Sequence, residues 1–189
     1  MSRIAAFNQS PDSGADEIEA IFLEHYRMVY RTACGVTGSA EEAEDVVQTL
    51  FLRLLRTGVP ADFRKNPKGY LYRATINQAL NAVRSKSRQA KIFDSAGLEH
   101  AAAVPAIAEE RTYELERRNR VVKALAQLNR RAVEMVILRY YHQYNEAEIA
   151  QLCGTSRGVV AVTLWRARVR LRALLNASTG DRPLEFPKD

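Results

Sequence analysis

The chain lacks what metal centres and covalent staples are made from. It has two cysteines, Cys34 and Cys153, far apart in apolar helical stretches, and three scattered histidines, His25, His100 and His142. Zinc sites need Cys and His in closely spaced pairs, so no metal site is expected. The two thiols read as buried residues of a protein in a reducing compartment. No apolar run approaches the ~20 residues of a membrane span, so no membrane insertion is expected. The opening MSRIAAFNQSPDSGADE has no apolar signal core and soon turns acidic, which speaks against secretion and for a cytoplasmic chain. Phosphate-cradling glycine loops and nucleophile motifs are also missing. Glu41, Glu42, Glu44 and Asp45 cluster, but acids in a first helical turn follow from the helix dipole. The expectation is a protein with no catalytic site and no cofactor.

One long stretch lacks acid. From Arg64 to Lys91 there is no Asp or Glu, while Arg64, Lys65, Lys68, Arg73, Arg84, Lys86, Arg88 and Lys91 are basic. The spacing of Tyr72, Ile76, Ala79/Leu80 and Val83 predicts a helix over Lys68 to Arg88 with those residues in a core. The opposite stripe is Tyr70, Arg73, Asn77, Asn81, Arg84 and Arg88. A solvated helix face normally mixes charge signs, because opposite charges four residues apart support the helix. A face of one sign points instead to a polyanion. Its aromatic and amides suit unpaired bases as well as phosphates. A basic solvent face on an ordinary bundle helix is the plainer alternative. The whole chain, 189 residues with 47% hydrophobic and 26% charged residues and a net charge of +6, fits one soluble domain or two small ones.

In chain order, residues 1–15 read as a loose tail. Asp16 to Thr37 is helical through Ile18, Ile21/Phe22, Tyr26, Val29/Tyr30 and Ala33, and Gly38 stops it. Ser39 and Glu42 form a capping box for the next helix, Ala40 to Arg56. Ala43, Val47, Leu50/Phe51 and Leu54 are its core. Its other side, Asp45, Gln48, Thr49, Leu52 and Leu55, mixes polar groups with large aliphatics. Either a protein partner covers Leu52 and Leu55 or the helix is buried on two sides. Thr57 to Pro67 is a loop, and residues 89–112 are a linker.

The second half is again helical. Tyr113 to Leu128 is expected to bury Leu115, Val122 and Leu125, and Arg130 to His142 to bury Val133, Val136/Ile137 and Tyr140. Asn145, with Glu148, caps a short helix packed through Ala147, Ile149, Ala150 and Leu152. Gly154-Thr155 turns the chain. Ser156 caps a long last helix with core Val160, Leu164, Ala167, Leu171 and Leu174/Leu175. A short helix, a glycine turn and a longer cationic helix make the helix-turn-helix pattern. No acid occurs between Glu148 and Asp181, whereas Arg157, Arg166, Arg168, Arg170 and Arg172 do. Residues 176–189 read as a polar tail. The fold class expected is all-α: two small helical domains, residues 16–88 and 113–175.

Three motifs in this order resemble bacterial RNA polymerase sigma factors of the extracytoplasmic-function type, over roughly Ile18 to Arg88 and Leu115 to Leu175. Ala43-Glu44-Asp45-Val46-Val47-Gln48 with Phe51-Leu52-Arg53 is similar to the family's polymerase-binding helix. Gly69-Tyr70-Leu71-Tyr72-Arg73-Ala74 with Asn77, Leu80 and Arg84 resembles its promoter-melting helix. Ile149-Ala150, Gly154-Thr155-Ser156-Arg157-Gly158 and Leu164-Trp165-Arg166-Ala167-Arg168 resemble its helix-turn-helix.

The resemblance implies that Glu44, Asp45, Gln48, Thr49, Leu52 and Leu55 dock on the polymerase core, at the clamp of its largest subunit, with the flap region as a further contact. It implies that Arg64, Lys65, Lys68, Tyr70, Arg73, Asn77, Asn81, Arg84 and Arg88 bind the minus-ten element, with a flipped base received by the loop before them. It implies that Ser156, Arg157, Gly158, Ala161, Val162, Trp165, Arg166 and Arg168 meet the minus-thirty-five element, and that an anti-sigma factor regulates the chain. A stand-alone helix-turn-helix regulator working without polymerase is the competing function.

The chain departs from the family early in the last helix, where polar readers are usual. Here stands Val159-Val160-Ala161-Val162-Thr163, almost all apolar. Arg157, Arg166 and Arg168 can still hold phosphates. Contact with thymine methyls, readout of DNA shape, and packing on protein are the three ways to use such a face. Tyr70 replaces a common tryptophan and keeps the stacking ring.

Overall fold

The computed structural model describes residues 11–95 and 109–177, and those residues contain helices and no strand. The first half is α1 (Pro11–Thr37), α2 (Ala40–Thr57), a short α3 (Ala61–Lys65) and a long α4 (Pro67–Ser95). Their shared core holds Ile18, Ile21, Val29, Val47, Leu50, Phe51, Leu54, Phe63, Leu71 and Ala74. Gly38 ends α1 with φ +69°, a conformation that an L side chain disfavours. Ser39 caps α2 by accepting the Glu42 amide. Only this half of the capping box is formed, because the Glu42 carboxylate pairs with Lys86 of α4 instead.

The second half is α5 (Glu109–Ala126), α6 (Arg130–Val136) running into a π turn (Ile137–Tyr141), α7 (Glu146–Cys153) and α8 (Arg157–Ala177). Asn129 caps α6 by accepting the Ala132 amide. Asn145 and Glu148 form the full capping box on α7, and Gly154 closes that helix in the left-handed region at φ 60°. The last helix buries Val160, Leu164, Ala167, Leu171 and Leu175, as its spacing predicts.

Several expectations are corrected. Residues 11–15 of the expected tail are helical, since proline is tolerated in a helix's first turn. The loop before α4 contains α3. The basic helix does not stop at Arg88 but runs to Ser95, because no proline or glycine interrupts the chain before Gly97. Residues 109–112 of the expected linker belong to α5, residues 96–108 lie outside the described residues, and the expected C-terminal tail does so from residue 178. Leu115 is exposed, because α5 is exposed throughout residues 113–119. Tyr140 is exposed too, and Leu138 is buried in its neighbourhood; the wider π turn rotates the helix phase away from the 3.6-residue repeat. Ala147 is also exposed.

The two halves share a core. Ala33, Val36, Ala43, Val46, Tyr72, Ile76, Ala79 and Leu80 of the first half pack in one cluster with Val133, Met135, Leu138, Ile149 and Leu164 of the second. At the start of α4, Asn66 Oδ1 accepts the Gly69 amide at 2.9 Å while its Nδ2 donates to the Leu152 carbonyl of α7 at 3.2 Å. A Cβ on Gly69 would lie 2.3 Å from that carbonyl oxygen, so only glycine permits the approach. Tyr72 and Tyr144 share a hydrogen bond of 3.1 Å between hydroxyls. Beside them His142 packs edge-on to Tyr72, with Nε2 3.0 Å from Thr32 Oγ1. That hydroxyl already donates to the Met28 carbonyl, so the ring is the donor and carries its proton on Nε2.

Burial, aided by the nearby Arg31 guanidinium, pushes the His142 pKa down to about 4. In the unfolded chain it titrates near its ordinary ~6.5. Between these values the unfolded chain binds more protons, so His142 makes stability fall as pH drops from about 6.5 towards 4. Urea unfolding midpoints of His142→Gln are expected to depend less steeply on pH across that window than those of the wild type, and parallel curves would refute the assignment.

Candidate functional site

Three surfaces carry the residues singled out by sequence. The first is the outer face of α2. Its inner stripe, Ala43, Val46, Val47, Leu50, Phe51 and Leu54, is buried. Glu44, Asp45, Gln48, Thr49, Leu52 and Leu55 all lie on the remaining face and are exposed. Leu52 and Leu55 keep 50% and 51% of their surface in solvent. Among the described residues, α2 is therefore not buried on two sides. The face brings carboxylates, amide, hydroxyl and two bare aliphatics together, which suits a protein partner.

The second surface follows α3 and α4. Lys68 and Arg88 are exposed. Tyr70 is half-buried, its ring edge-on to Phe63 at 5.8 Å, so it stands at the rim of the first core rather than free on the basic stripe. Asn77 is half-buried as well. The one-sign stripe meets acids from other elements. Arg64 lies 3.4 Å from Glu17 of α1, Lys65 lies 3.5 Å from Asp62, and Arg73 lies 3.9 Å from Glu134 of α6. The first two pairs are exposed and weak, so Arg64 and Lys65 are readily lent to a stronger anion, whereas Arg73 also balances a buried carboxylate.

The far end of the stripe is held by the second half. Arg84 donates to the Ala126 and Leu128 carbonyls at 3.0 and 2.8 Å, closing the end of α5. Asn81 accepts from Arg130 at 3.0 Å. The sequence stripe therefore divides: Arg64, Lys65, Lys68, Tyr70 and Arg73 face outward or rim the core, whereas Asn81 and Arg84 are engaged across the interface.

Glu134 is the buried acid under this surface. Desolvation raises its pKa, partly countered by Arg73, a hydrogen bond from Cys153 and Arg131. Burial and the Glu134 charge push the Cys153 thiol up to about 12. It stays protonated and donates to the carboxylate, which makes it a poor nucleophile.

The third surface is the helix-turn-helix of α7 and α8. Ser156 Oγ accepts the Val159 amide at 3.4 Å, so this hydroxyl caps the helix. Arg157, Gly158, Val162, Trp165 and Arg166 are exposed, and Ala161 and Arg168 are half-buried. Arg131 of α6 donates to Thr155 Oγ1 at 2.7 Å and braces the turn.

Sequence reasoning missed Asn66, Arg130 and Arg131, whose roles are long-range and leave no periodic signal. It also passed over Val169 as a surface residue, though its spacing to Val162 and Trp165 is helical.

With this geometry in place, comparison with known proteins gives a consistent answer. The family model "Sigma-70 region 2" matches residues 21–89, and "Sigma-70, region 4" matches residues 118–171. The ECF RNA polymerase sigma factor SigM of Mycobacterium tuberculosis is 27% identical over 157 residues, spanning 83% of this chain and 76% of that protein. SigW of Bacillus subtilis is 24% identical over 171 residues, spanning 87% of this chain and 89% of that protein. The sigma factor RpoE of Bartonella quintana, solved in complex with the anti-sigma factor NepR, aligns over 85% of this chain and 97% of its own, with 22% identity and a TM-score of 0.46. The chain belongs to the sigma-70 family of RNA polymerase sigma factors, in its extracytoplasmic-function (ECF) group.

The Arg84 bridge has a measurable weight. Arg84→Met keeps the aliphatic stem and removes the donors to two helix-end carbonyls. It is expected to lower the unfolding free energy of the full chain by about 1–3 kcal/mol, read by urea denaturation. An unchanged midpoint would mean that water replaces the guanidinium at no cost.

Proposed function

We propose that the chain binds the core of bacterial RNA polymerase, directs it to promoters and opens the DNA there. The unit of residues 16–88 docks and melts, and the unit of residues 113–175 grips the upstream element. Residues 89–112 join them, their first part continuing α4. The observation that carries this reading is the exposed α2 face. A chain acting alone on DNA has no use for two solvated leucines beside carboxylates, whereas a polymerase clamp covers them. Glu44, Asp45, Gln48 and Thr49 supply the polar rim of that contact, and Leu52 and Leu55 its apolar centre.

The cations of α3 and α4 then take the phosphates of the non-template strand, and Tyr70, edge-on to Phe63, stacks on a base received at the segment before α4. Flipping that base costs a few kcal/mol of unstacking, offset by stacking and by amide bonds from Asn77. Asn81 and Arg84 join this face when the second unit moves off α4, so melting and domain separation go together. Ser156, Arg157, Gly158, Ala161, Val162, Trp165, Arg166 and Arg168 meet the minus-thirty-five element. An anti-sigma factor that covers these faces is the partner expected to regulate the chain.

Two experiments test the assignment. In co-purification with core polymerase, the wild type is expected to be retained and the Asp45→Arg/Leu52→Ala double variant lost, its helical circular dichroism unchanged. Retention of the double variant would move the docking face elsewhere. Sequence-specific binding of duplex by the wild type with no affinity for core would favour the stand-alone regulator. The Tyr70→Ala/Asn77→Ala variant is expected to keep core binding and lose permanganate reactivity of promoter thymines by tenfold or so, about 1.4 kcal/mol. Undiminished reactivity would remove both residues from melting.

A further inference from the structure

Helix α8 carries an apolar ridge that its own fold does not use. Val159, Val162, Trp165 and Val169 keep 43%, 49%, 59% and 54% of their surface exposed. At 3.6 residues per turn, Val162, Trp165 and Val169 lie opposite the buried stripe Val160, Leu164, Ala167 and Leu171. Gly158 continues the ridge, with open space where a Cβ would stand. Large apolar side chains aligned in solvent mark a contact surface.

The charges around the ridge say what covers it. Arg166 and Arg170 flank one side, and Arg157, Arg168 and Arg172 flank the other. From Ile149 to Gly180 there is no acid. A ridge meant for protein needs no double row of one charge. A helix about 10–12 Å across fills a major groove about 12 Å wide. Both arginine rows then lie beside phosphate strands, and the ridge lies on the base edges. Hydrogen-bond readers are missing there: Ser156 Oγ is committed to the Val159 amide, and Thr163 is the one hydroxyl in the next two turns. The apolar group that unmodified DNA displays on that groove floor is the 5-methyl of thymine.

Resting on the proposed role at promoters, we infer that this chain reads its upstream element by apolar contact with thymine 5-methyl groups, with Val162 and Trp165 of the ridge as the specificity-determining residues. The arginines fix register and supply affinity without sequence information. Loss of one buried methyl lowers affinity about fourfold.

The test uses the full chain bound to core polymerase. Duplexes with a randomised upstream element are selected for retention, and the expected winners place thymines, on either strand, at fixed positions. The winning duplex is then remade with deoxyuridine for each of those thymines in turn, which removes the methyl and nothing else. A loss of about fourfold at two or more positions supports the inference. Val162→Ser, at an exposed position, is expected to lower affinity for the thymine duplex by a similar factor and to abolish the thymine–deoxyuridine difference at one position. Sequence-selective retention with equal affinity for both bases overturns the inference and points to shape readout or a protein cover. Selection that yields no sequence beyond that of core polymerase alone overturns both the inference and the promoter-directing role. The deoxyuridine comparison is made on the wild type, so it stands whatever Val162→Ser does to folding.

Discussion

Helix α4 has to be buried twice. Leu71 and Ala74 face the bundle made with α1 and α2, while Tyr72, Ile76, Ala79 and Leu80 face a cluster that includes α6, α7 and α8. A helix apolar on so much of its circumference cannot sit at the edge of a small bundle without cover. The second half supplies that cover. Everything around the contact follows from the close approach it imposes: glycine at position 69, an asparagine at 66 that satisfies two backbones at once, and a polar cluster of Tyr72, Tyr144, His142 and Thr32 whose buried atoms are all hydrogen-bonded. Among the described residues no buried side-chain polar atom is left without a partner.

The same contact shapes part of the electrostatics of the basic face on α3 and α4. A run of cations with no acid within it repels itself, and the free chain relieves this with Glu17 of α1, Glu42 of α2, Asp62 of α3 and Glu134 of α6. The pairs with Glu17 and Asp62 are exposed and cost little to exchange for phosphate, while Arg73 also balances the buried Glu134. Arg84 differs because its guanidinium closes the end of α5. It is part of the join between the halves, so a nucleic acid claiming it must compete with a structural bond. On the proposed reading, promoter opening and loosening of the interface draw on this one residue.

The two exposed apolar faces, on α2 and on α8, mark where the sequence departs from what folding alone requires. Each sits opposite a well-buried stripe of the same helix, and each is bordered by charge of a different kind. Acids and amides border Leu52 and Leu55. Arginines border Val159, Val162 and Trp165. On the proposed reading, similar aliphatic surfaces are addressed to partners of opposite character, and the sign of the rim distinguishes them.

The sequence by itself determined what is local and periodic. The inner stripes of α2, α4 and α8, the Asn145–Glu148 capping box and the left-handed Gly154 turn all follow from spacing and side-chain chemistry within one or two turns, whereas the exposure of the outer α2 face, which the pattern left open, was decided by packing. Tertiary structure decided whatever depends on a distant neighbour. Leu115 is apolar and helical yet exposed, because burial needs something to pack against. Tyr140 turns outward because a π turn shifts the phase of its helix. Glu42 leaves its capping role for Lys86. Arg84 and Asn81, legible as a basic and polar stripe, are engaged with α5 and α6 through residues more than forty positions away. Charge and periodicity are properties of a segment, but the partner that claims a side chain is a property of the packed chain.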